Sequence, residues 1–376
     1  MHQRFDAGKI RETAMKKTVL AAMSGGVDSS VAACLLVEAG YDVTGITMRL
    51  DSTGEDHRDR HGRNALEDAR TVCAILGIDH HVVDFRDSLR REVIDRFVRQ
   101  YRGGRTPNPC IDCNRLLKFG RLLDTARSMG FDYLATGHYA RIEETGNGLR
   151  LMRARDRVKD QSYFLYVIGT ENMSRILFPL GNMTKEEVRA VADRAALPVT
   201  GGRESQDICF VEGKDYRSFL LKEGVEEDPG PIVDVAGRLR GTHRGIAFYT
   251  IGQRRGLGIA AKEPLYVVSI DAEHNKLVVG SGKDLRSSVL NAGDFITLVD
   301  VLPGRAQAKI RYRKQASPCT VTKVAPGRVR LEFSEPQTSV APGQAVVLYQ
   351  GDLVLGGGVI EKAPDDRNCR PGENVK

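Results

Sequence analysis

The sequence predicts an α/β fold with a parallel sheet covered by helices on both faces, followed by a small central β-rich domain and a C-terminal β-barrel. Apolar strand-like runs alternate with longer amphipathic stretches over residues 17–136, which is typical of parallel sheets. A glycine-rich turn joins the first strand to the first helix. After Phe210 the chain changes to short β-rich runs separated by glycine and proline, which is typical of small barrels.

Residues 17–136 are expected to supply the parallel sheet. The predicted strands are Thr18–Met23, Asp42–Met48, His80–Phe85 and Tyr133–Thr136, and the predicted helices are Ser29–Ala39, Asn64–Leu76, Ser88–Tyr101 and Arg115–Met129. Ser24, Met48 and Gly137 then lie at carboxyl ends of strands, where such sheets bind ligands. Thr184 and Glu187 have the spacing of a capping box that begins another helix.

The second half of the chain predicts short strands. They are Ile246–Ile251, Leu265–Ile270, Lys276–Val279, Phe295–Leu298, Gln307–Tyr312, Val329–Phe333 and Ala345–Tyr349. The expected divisions are a leader at 1–16, an α/β domain at 17–210, a central β-rich domain at 211–285, a barrel at 286–362 and a disordered tail at 363–376. The charged segment Asp51–Arg63 is either a mobile loop or a lid.

The composition predicts a soluble globular protein of the cytoplasm. Of 376 residues, 41% are hydrophobic and 28% are charged, enough apolar residues to bury a core. No apolar run approaches the ~20 residues of a membrane span, and no apolar segment precedes Thr18, so a secretory signal is not expected. Seven irregularly spaced cysteines do not form a secreted disulfide framework.

The charge distribution makes a polyanionic partner worth considering. The formal net charge is +7, a modest excess. Basic residues gather at Arg99–Arg105, Arg153–Lys159, Arg254–Arg255 and Arg311–Lys314. One such cluster is typical of a solvated surface, but four of them on a nucleotide-binding protein favour a nucleic-acid substrate.

Residues Ser24–Ser30, Ser-Gly-Gly-Val-Asp-Ser-Ser, form the most informative segment. Gly25 and Gly26 let the backbone turn tightly and point N–H groups at an anion. The hydroxyls of Ser24, Ser29 and Ser30 are expected to add donors, and the helix that follows turns its positive end toward phosphates. Asp28 would repel a polyphosphate unless a cation lay between them, so we interpret it as a Mg²⁺ ligand. Ordinary turn and N-cap chemistry is the plainer alternative.

Two cysteine segments predict sulfur chemistry. Cys110 and Cys113 form a Cys-x-x-Cys pair where a helix is expected to begin, and a helix N-terminus lowers a thiol pKa. Cys209 lies in a segment of acids and amides close to a domain boundary. A structural zinc site built from these cysteines and a histidine is the main alternative, although no second pair at convincing spacing accompanies them.

The glycine-rich loop resembles the PP-loop of the ATP pyrophosphatases, and the whole stretch from about Lys17 to Ile360 resembles the bacterial tRNA-specific 2-thiouridylases. The motifs that carry the resemblance are Ala22–Ser29, Thr106–Asn114, Ala135–Tyr139, Lys159–Leu165, Ser205–Phe210, Tyr249–Gly258 and Arg311–Arg313. The resemblance implies a Rossmann-like PP-loop catalytic domain. It also implies replacement of oxygen by sulfur at carbon 2 of the wobble uridine in glutamate, glutamine and lysine tRNAs, with release of AMP and pyrophosphate.

The resemblance also implies roles for individual residues. Cys113 would be the nucleophile and Cys209 the persulfide carrier, and the reaction would leave them joined in a disulfide. ATP would be bound by Ala22, Met23, Ser24, Gly25, Gly26, Val27, Asp28, Ser29, Met48 and Gly137. The tRNA would be contacted by Asn108, Pro109, Cys110, His138, Lys159, Asp160, Gln161, Arg311, Tyr312 and Gln344.

The implied cofactors are ATP and Mg²⁺, with no metal held by the protein alone. The implied partners are tRNA and a persulfide donor such as a cysteine desulfurase or a sulfur-relay protein. Some family members have Asp at the position of Cys110, where it is proposed to act as acid or base; Cys110 either takes over that duty or competes with Cys113 for pairing. Two alternatives stay open: a PP-loop ligase or amidotransferase, and a non-catalytic, zinc-stabilised tRNA-binding protein.

Overall fold

The structure is a computed structural model that describes residues 16–50, 65–198, 208–211 and 215–362. The predictions for the leader up to residue 15, for Asp51–Arg63 and for the tail lie outside these ranges, as do residues 205–207 of the motif Ser205–Phe210. The strands are numbered β1 to β17 in chain order.

A five-stranded parallel sheet in the order β3-β2-β1-β4-β7 forms the centre of the N-terminal unit. Its strands are β1 Thr18–Ala22, β2 Asp42–Arg49, β3 His80–Asp84, β4 Tyr133–Ala135 and β7 Ile176–Leu177. Side chains of β1 alternate between two apolar clusters: Val19 and Ala21 pack with one, and Leu20 packs with the other. The period of two therefore places core on both faces of the sheet, as the sequence predicts.

Helices cover the two faces. On the Val19 face lie the loop helix Val27–Glu38, the helix Ala65–Leu76 and the capped helix Lys185–Arg194. On the Leu20 face lie two long helical segments, residues 86–102 and the cysteine helix, residues 109–128. The first is α-helical at Arg86–Ser88, π-helical at Leu89–Ile94 and α-helical again at Asp95–Arg102. The cysteine helix is α-helical at Pro109–Asp112, π-helical at Cys113–Leu122 and α-helical again at Leu123–Ser128. Short 3₁₀ turns follow at Ser162–Phe164, Tyr166–Ile168 and Thr170–Arg175.

The cysteine helix begins earlier than predicted. It starts at Pro109, with Asn108 as its N-cap residue, whereas the sequence pattern placed the start at Arg115. Proline fits the first helical position because its missing N–H has no intrahelical partner there anyway. Both cysteines of the Cys-x-x-Cys pair therefore belong to the first turns of the helix and do not precede it.

The central unit is a four-stranded sheet in the order β10-β11-β8-β9. Its strands are β8 Gly230–Asp234, β9 Leu239–His243, β10 Tyr266–Asp271 and β11 Lys276–Gly280, and the helix Tyr216–Lys222 precedes them. The strand predicted at Ile246–Ile251 is wrong, since Ile246–Phe248 is a 3₁₀ turn. All three residues of that turn are buried, and a short apolar run without alternation does not distinguish a strand from a buried turn.

Six C-terminal strands close into a barrel, as predicted. They are β12 Arg286–Thr297, β13 Arg305–Lys309, β14 Ser317–Ala325, β15 Arg328–Thr338, β16 Ala345–Gln350 and β17 Leu353–Ile360. Pairing of β12 with both β15 and β17 closes the ring. The predicted strand Gln307–Tyr312 stops at Lys309, so Tyr312 lies in the loop beyond it.

An unpredicted hairpin connects the N-terminal unit to the barrel. Strands β5 Ala140–Thr145 and β6 Gly148–Arg153 follow β4 in the chain, yet β6 pairs with β17. The Arg153 N–H donates to the Asp352 carbonyl at 2.8 Å, and the Arg153 guanidinium lies 3.9 Å from the centre of the Tyr349 ring. The hairpin therefore extends the sheet of the barrel, and the parallel sheet of the α/β unit stays separate from it.

Among the described residues, no helix is both long and apolar enough to cross a membrane.

Replacing Thr184 by Ala is expected to destabilise the capped helix by about 1 kcal/mol. The Thr184 hydroxyl accepts from the Glu187 N–H, and the Glu187 carboxylate accepts from the Thr184 N–H at 2.8 Å, so the predicted capping box is present. Hydrogen exchange of amides in Lys185–Arg194 would measure the loss as faster exchange. Thr71→Ala, inside the exposed face of helix Ala65–Leu76, is the control and should leave exchange in its own helix no faster.

Candidate functional site

The turn between β1 and the loop helix presents a helix N-terminus without a side-chain cap. Gly26 is the N-cap residue, and among the described residues no side chain caps the N–H groups of the first turn. Gly25 has a φ of 72°, and a Cβ at this position would overlap the Ala65 carbonyl, so no other residue fits. The free N–H groups and the helix dipole make this turn suited to an anion.

The hydroxyls of the loop divide into two groups. Ser24 is exposed, and its N–H donates to the Ser29 hydroxyl at 3.1 Å. Ser29 and Ser30 are buried, and each donates to the Gly26 carbonyl at 3.0 Å. Of the three predicted donors, Ser29 and Ser30 therefore hold the shape of the loop. The Ser24 hydroxyl lies at the loop surface, 3.1 Å from the Ser29 hydroxyl.

The remaining predicted ATP residues frame this loop. Ala22 ends β1, and Val27 begins the loop helix. Met23 is buried, and its N–H donates to the Ile46 carbonyl at 2.8 Å, which extends the pairing with β2 by one residue. Met48 lies near the carboxyl end of β2, half-buried.

Asp28 is held by two donors on one oxygen. Its Oδ1 accepts from the Tyr139 hydroxyl at 2.7 Å and from Lys185 Nζ at 2.7 Å. Lys185 is only 3% exposed. Oδ2 accepts no hydrogen bond from any described residue, so it is available to a cation. Within the described ranges no group of three or more His, Cys, Asp or Glu could hold a metal; Mg²⁺ at Asp28 would need oxygens from ATP as further ligands.

The carboxyl end of β4 packs directly on the predicted ATP-binding loop, residues 24–30, which is called the ATP loop below. A Cβ on Gly137 would lie 2.7 Å from the backbone of Asp28 and Ser29, so a side chain there would push the two segments apart. His138 and Tyr139 follow at once. The loop after β1 and the segment after β4 are thereby brought together, as the sequence predicts for strand ends of a parallel sheet.

His138 is a neutral, enclosed histidine. Burial lowers its pKa well below the usual value, and the Lys118 ammonium lowers it further. Lys118 Nζ lies 3.4 Å from Nε2, and Nδ1 lies 2.7 Å from the Thr136 hydroxyl. Since an ammonium can only donate, Nε2 accepts from Lys118 and Nδ1–H donates to Thr136. A tRNA contact by His138 therefore does not rest on a positive imidazole.

Lys118 links His138 to the cysteines. Its charge acts on the thiols of Cys110, Cys113 and Cys209. Cys113 and Lys118 are five residues apart in the π-helical part of the cysteine helix. The i→i+5 bonding of a π-helix brings them onto one face, whereas about 3.6 residues per turn in an α-helix would not.

The three thiols form one electrostatic neighbourhood. The charges of Cys113 and Cys110 both act on Cys209, although Cys209 is about a hundred residues farther along the chain. All three are free thiols in this structure; Cys110 and Cys209 are exposed at the surface, and Cys113 is half-buried. The Phe210 ring packs edge-on against Phe97 at 5.4 Å and anchors the segment that carries Cys209.

The prediction of a lowered thiol pKa is wrong. Desolvation by the surrounding protein is the largest effect on each of the three thiols and raises the pKa of Cys110 and Cys113, and that of Cys209 to about 11. Lys118 opposes this rise but does not cancel it. Asp112 adds to it at Cys113. The thiols therefore rest protonated at neutral pH.

The segment predicted to contact tRNA is tied to the protein at two of its three residues. Asp160 is buried, and its carboxylate accepts from the N–H groups of Ala154 and Ser162 and from the Ser162 hydroxyl. Gln161 accepts from the Tyr139 N–H at 2.9 Å and donates its own N–H to the Tyr139 carbonyl at 2.8 Å. Lys159 keeps a half-exposed side chain, so charge in this segment is presented by Lys159.

Arg311 and Tyr312 adjoin that segment from the barrel side. The Tyr312 ring lies 4.5 Å from the Phe164 ring, centre to centre. Lys309 Nζ lies 5.3 Å from the Tyr312 ring centre. Desolvation lowers the pKa of both Arg311 and Lys309. Two cations and an aromatic ring are thus grouped, the combination that binds phosphate and stacks on bases.

Gln344 supports the segment predicted to touch the target base. Its side-chain amide donates to the carbonyls of Thr106 at 2.9 Å and Pro107 at 3.2 Å. The Thr106 N–H donates to the Pro342 carbonyl at 2.8 Å. The barrel therefore fixes the approach to Asn108, and Gln344 acts on the site through the backbone of its neighbours.

Four residues of the site escaped sequence reasoning: Lys118, Tyr139, Lys185 and Lys309. Tyr139 and Lys185 stand inside segments that the sequence singled out for other reasons. The contacts of Lys118, Tyr139 and Lys185 join different elements of the fold. No local pattern signals such contacts, and only the assembled fold reveals them.

Family models cover nearly all of the chain. The tRNA methyl transferase HUP domain model matches residues 17–213. The tRNA methyl transferase PRC-barrel domain model matches residues 217–281. The aminomethyltransferase beta-barrel domain model matches residues 292–360.

Curated relatives match over almost their whole length. The tRNA-specific 2-thiouridylase MnmA 1 of Syntrophus aciditrophicus is 56% identical over 357 residues, which is 95% of this chain and 95% of that protein. The tRNA-specific 2-thiouridylase MnmA of Moorella thermoacetica is 52% identical, covering 91% of this chain and 99% of that protein. The enzyme of the same name from Carboxydothermus hydrogenoformans is 48% identical, and the match covers 92% of this chain and 98% of that protein.

Lys118→Met is expected to raise the pKa of the three thiols further, because it removes the cation that opposes desolvation. Alkylation by iodoacetamide requires the thiolate. At pH 8 the variant should therefore react more slowly at Cys113 and Cys209, as measured by mass spectrometry of the cysteine peptides across a pH series.

Lys323→Met, at an exposed lysine of β14, is the matched control and should react like the wild type. Equal alkylation profiles for Lys118→Met and wild type would show that Lys118 does not set the acidity of these thiols.

Proposed function

The chain belongs to the tRNA-specific 2-thiouridylase family, and on that premise we propose that it catalyses ATP-dependent 2-thiolation of the wobble uridine of tRNA. The single observation that carries the proposal is the grouping of Cys113 and Cys209 around Lys118, next to the strand end that packs on the ATP loop. Sulfur transfer to a base activated by ATP needs two thiols close to the nucleotide, and this grouping supplies them.

In the first step ATP activates the target base. The uridine O2 attacks the α-phosphate, an O–P bond forms, the bond between the α- and β-phosphates breaks, and pyrophosphate leaves. The uncapped N–H groups of the loop helix and the Ser24 hydroxyl would bind the phosphates. Mg²⁺ held at Asp28 Oδ2 would supply charge neutralisation on the phosphates. A carbonyl oxygen is a poor leaving group, but after adenylation it leaves easily as part of AMP.

In the second step sulfur replaces the adenylated oxygen. A donor protein first places a sulfur on Cys209 as a persulfide. In one route the terminal sulfur attacks carbon 2 and AMP leaves; Cys113 then attacks the Cys209 sulfur, which breaks the S–S bond and frees the thiouridine. In the other, Cys113 attacks first and releases hydrosulfide, which attacks carbon 2. Either route ends in a Cys113–Cys209 disulfide that an external dithiol must reduce with two electrons.

The resting acidity of the thiols is compatible with this order of events. Cys209, with a pKa raised to about 11, is protonated until a donor engages it. The neighbouring Lys118 would stabilise the thiolate of Cys113 at the moment it attacks. Cys110 also has a raised pKa, and a protonated thiol beside the base is able to donate a proton, so we propose that it takes the acid role that Asp has in some members.

The tRNA would lie across the α/β unit and the barrel. Lys159, Arg311 and Tyr312 form the part of this surface with charge and an aromatic face, while Gln344 holds the segment that leads to Asn108. The wobble base must leave its stack to reach the thiols, which costs a few kcal/mol and is cheapest in a single-stranded loop. We propose that the substrates are the glutamate, glutamine and lysine tRNAs and that the sulfur donor is a cysteine desulfurase or a relay protein. The proposed location is the cytoplasm.

Cys113→Ser and Cys209→Ser are each expected to abolish 2-thiouridine formation and to leave ATP binding unchanged, since neither thiol belongs to the ATP loop. Mass spectrometry of tRNA nucleosides after incubation with Mg·ATP and a persulfide source measures the first effect. Calorimetric titration with ATP measures the second.

Cys319→Ala, at a buried thiol of the barrel strand β14, is the control and should thiolate normally. Active thiolation by either serine variant would refute the sulfur assignment. Pyrophosphate release that requires ammonia and ignores persulfide would instead identify an amidotransferase.

A further inference from the structure

Asp28 creates an electrostatic difficulty in the ATP loop. A carboxylate at the N-terminal turn of the loop helix is favourable to the free helix, but it faces the same region as the phosphates that the loop would bind. Two unit charges a few ångströms apart near a protein surface interact by several kcal/mol, about 4 kcal/mol at 4 Å. Something must offset the negative charge before Mg²⁺ arrives.

The structure provides an internal cation at this point. Lys185 Nζ lies 2.7 Å from Asp28 Oδ1, and Lys185 is 3% exposed. Lysines are rarely buried this deeply unless they are paired with an acidic group. The Tyr139 hydroxyl donates to the same oxygen at 2.7 Å, and Lys185 Nζ lies 5.9 Å from the centre of the Tyr139 ring. Both donors bind one oxygen and leave the other open.

The two donors are themselves held by Asp156 and by the predicted tRNA-contacting segment that follows it. The Asp156 carboxylate accepts from the Lys185 N–H at 3.1 Å with one oxygen and from the Lys159 N–H at 3.1 Å with the other. Gln161 is bonded to both the N–H and the carbonyl of Tyr139. The position of each donor to Asp28 is therefore set from residues 156–161.

We propose that Lys185 is the built-in counter-charge of Asp28 and that Lys185 and Tyr139 are positioning residues for ATP. They neutralise the loop carboxylate and fix its Oδ1, so that Oδ2 stays available for the magnesium of Mg·ATP. This inference rests on the proposed function for its ligand. It adds that the ATP site carries its own cation, supplied by the capped helix and aligned by the tRNA-contacting segment.

The test measures how strongly nucleotide binding depends on magnesium. The full-length protein is titrated calorimetrically with α,β-methylene-ATP, once in EDTA and once in excess MgCl₂, and the ratio of the two Kd values is compared among variants. In Lys185→Met the unpaired carboxylate should repel magnesium-free nucleotide, with Kd in EDTA rising about tenfold. Magnesium should offset much of this loss. The ratio of Kd in EDTA to Kd in magnesium therefore rises.

Further variants give opposite or smaller shifts. Asp28→Asn removes the negative charge of the loop and leaves the Lys185 cation in place, so magnesium-free binding should tighten and the ratio should fall. The double variant removes both charges and should bind magnesium-free nucleotide better than Lys185→Met alone. Tyr139→Phe keeps the ring, removes one donor and should shift the ratio as Lys185→Met does, by less. These variants keep the test decisive if Lys185→Met does not fold.

The control is Arg194→Met. Arg194 and Glu38 form an exposed ion pair between the same two helices, 3.3 Å apart, so its loss should leave the ratio as in the wild type. Ratios equal to the wild type in Lys185→Met, Asp28→Asn and Tyr139→Phe would overturn the inference. If the wild-type protein in that case still binds nucleotide and thiolates tRNA, the proposed function stands and only the inference fails. A wild-type protein that binds no nucleotide would refute both the inference and the proposed function.

Discussion

The organisation of the site depends on one close backbone contact. Gly137 lies against the backbone of Asp28 and Ser29 with no room for a Cβ. That contact places the segment after β4 on the ATP loop, and the residues that follow then diverge. His138 reaches Lys118 beside the thiols, and Tyr139 reaches both Asp28 and Gln161. The glycine loop, the three thiols and the segment predicted to contact tRNA meet through the three residues Gly137–Tyr139.

Desolvation is the largest effect on the pKa of the three thiols. Cys110 lies in the first turn of a helix, where the dipole favours the thiolate, yet the pKa of Cys110, Cys113 and Cys209 is raised. The dipole contributes about 1 kcal/mol at a surface, and removal of water from a thiolate costs more than that. Resting thiols kept protonated react slowly with oxidants.

The sequence predicted the parts of the molecule that follow local rules. Alternation between strands and helices, the glycine turn and the Thr184–Glu187 capping box all depend on residues close in the chain, and the structure agrees with them. The hairpin β5–β6 was missed although its own pairing is local and turns at Gly146 and Asn147. Its attachment to β17, some two hundred residues away, has no local signal. Three-dimensional neighbours likewise decide whether a polar side chain faces a ligand, and Ser29 and Asp160 turn inward to backbone groups.

The hairpin β5–β6 has a consequence for how RNA is accommodated. It leaves the α/β unit and joins the barrel's sheet, and Arg141 and Arg157 both bind Asp352 across the junction. Domains joined only by a linker slide or hinge easily, but continuous strand pairing resists both. The hairpin and its ion pairs therefore limit how far the two units can move relative to each other. A tRNA that contacted both units would have to adapt its own shape to this frame.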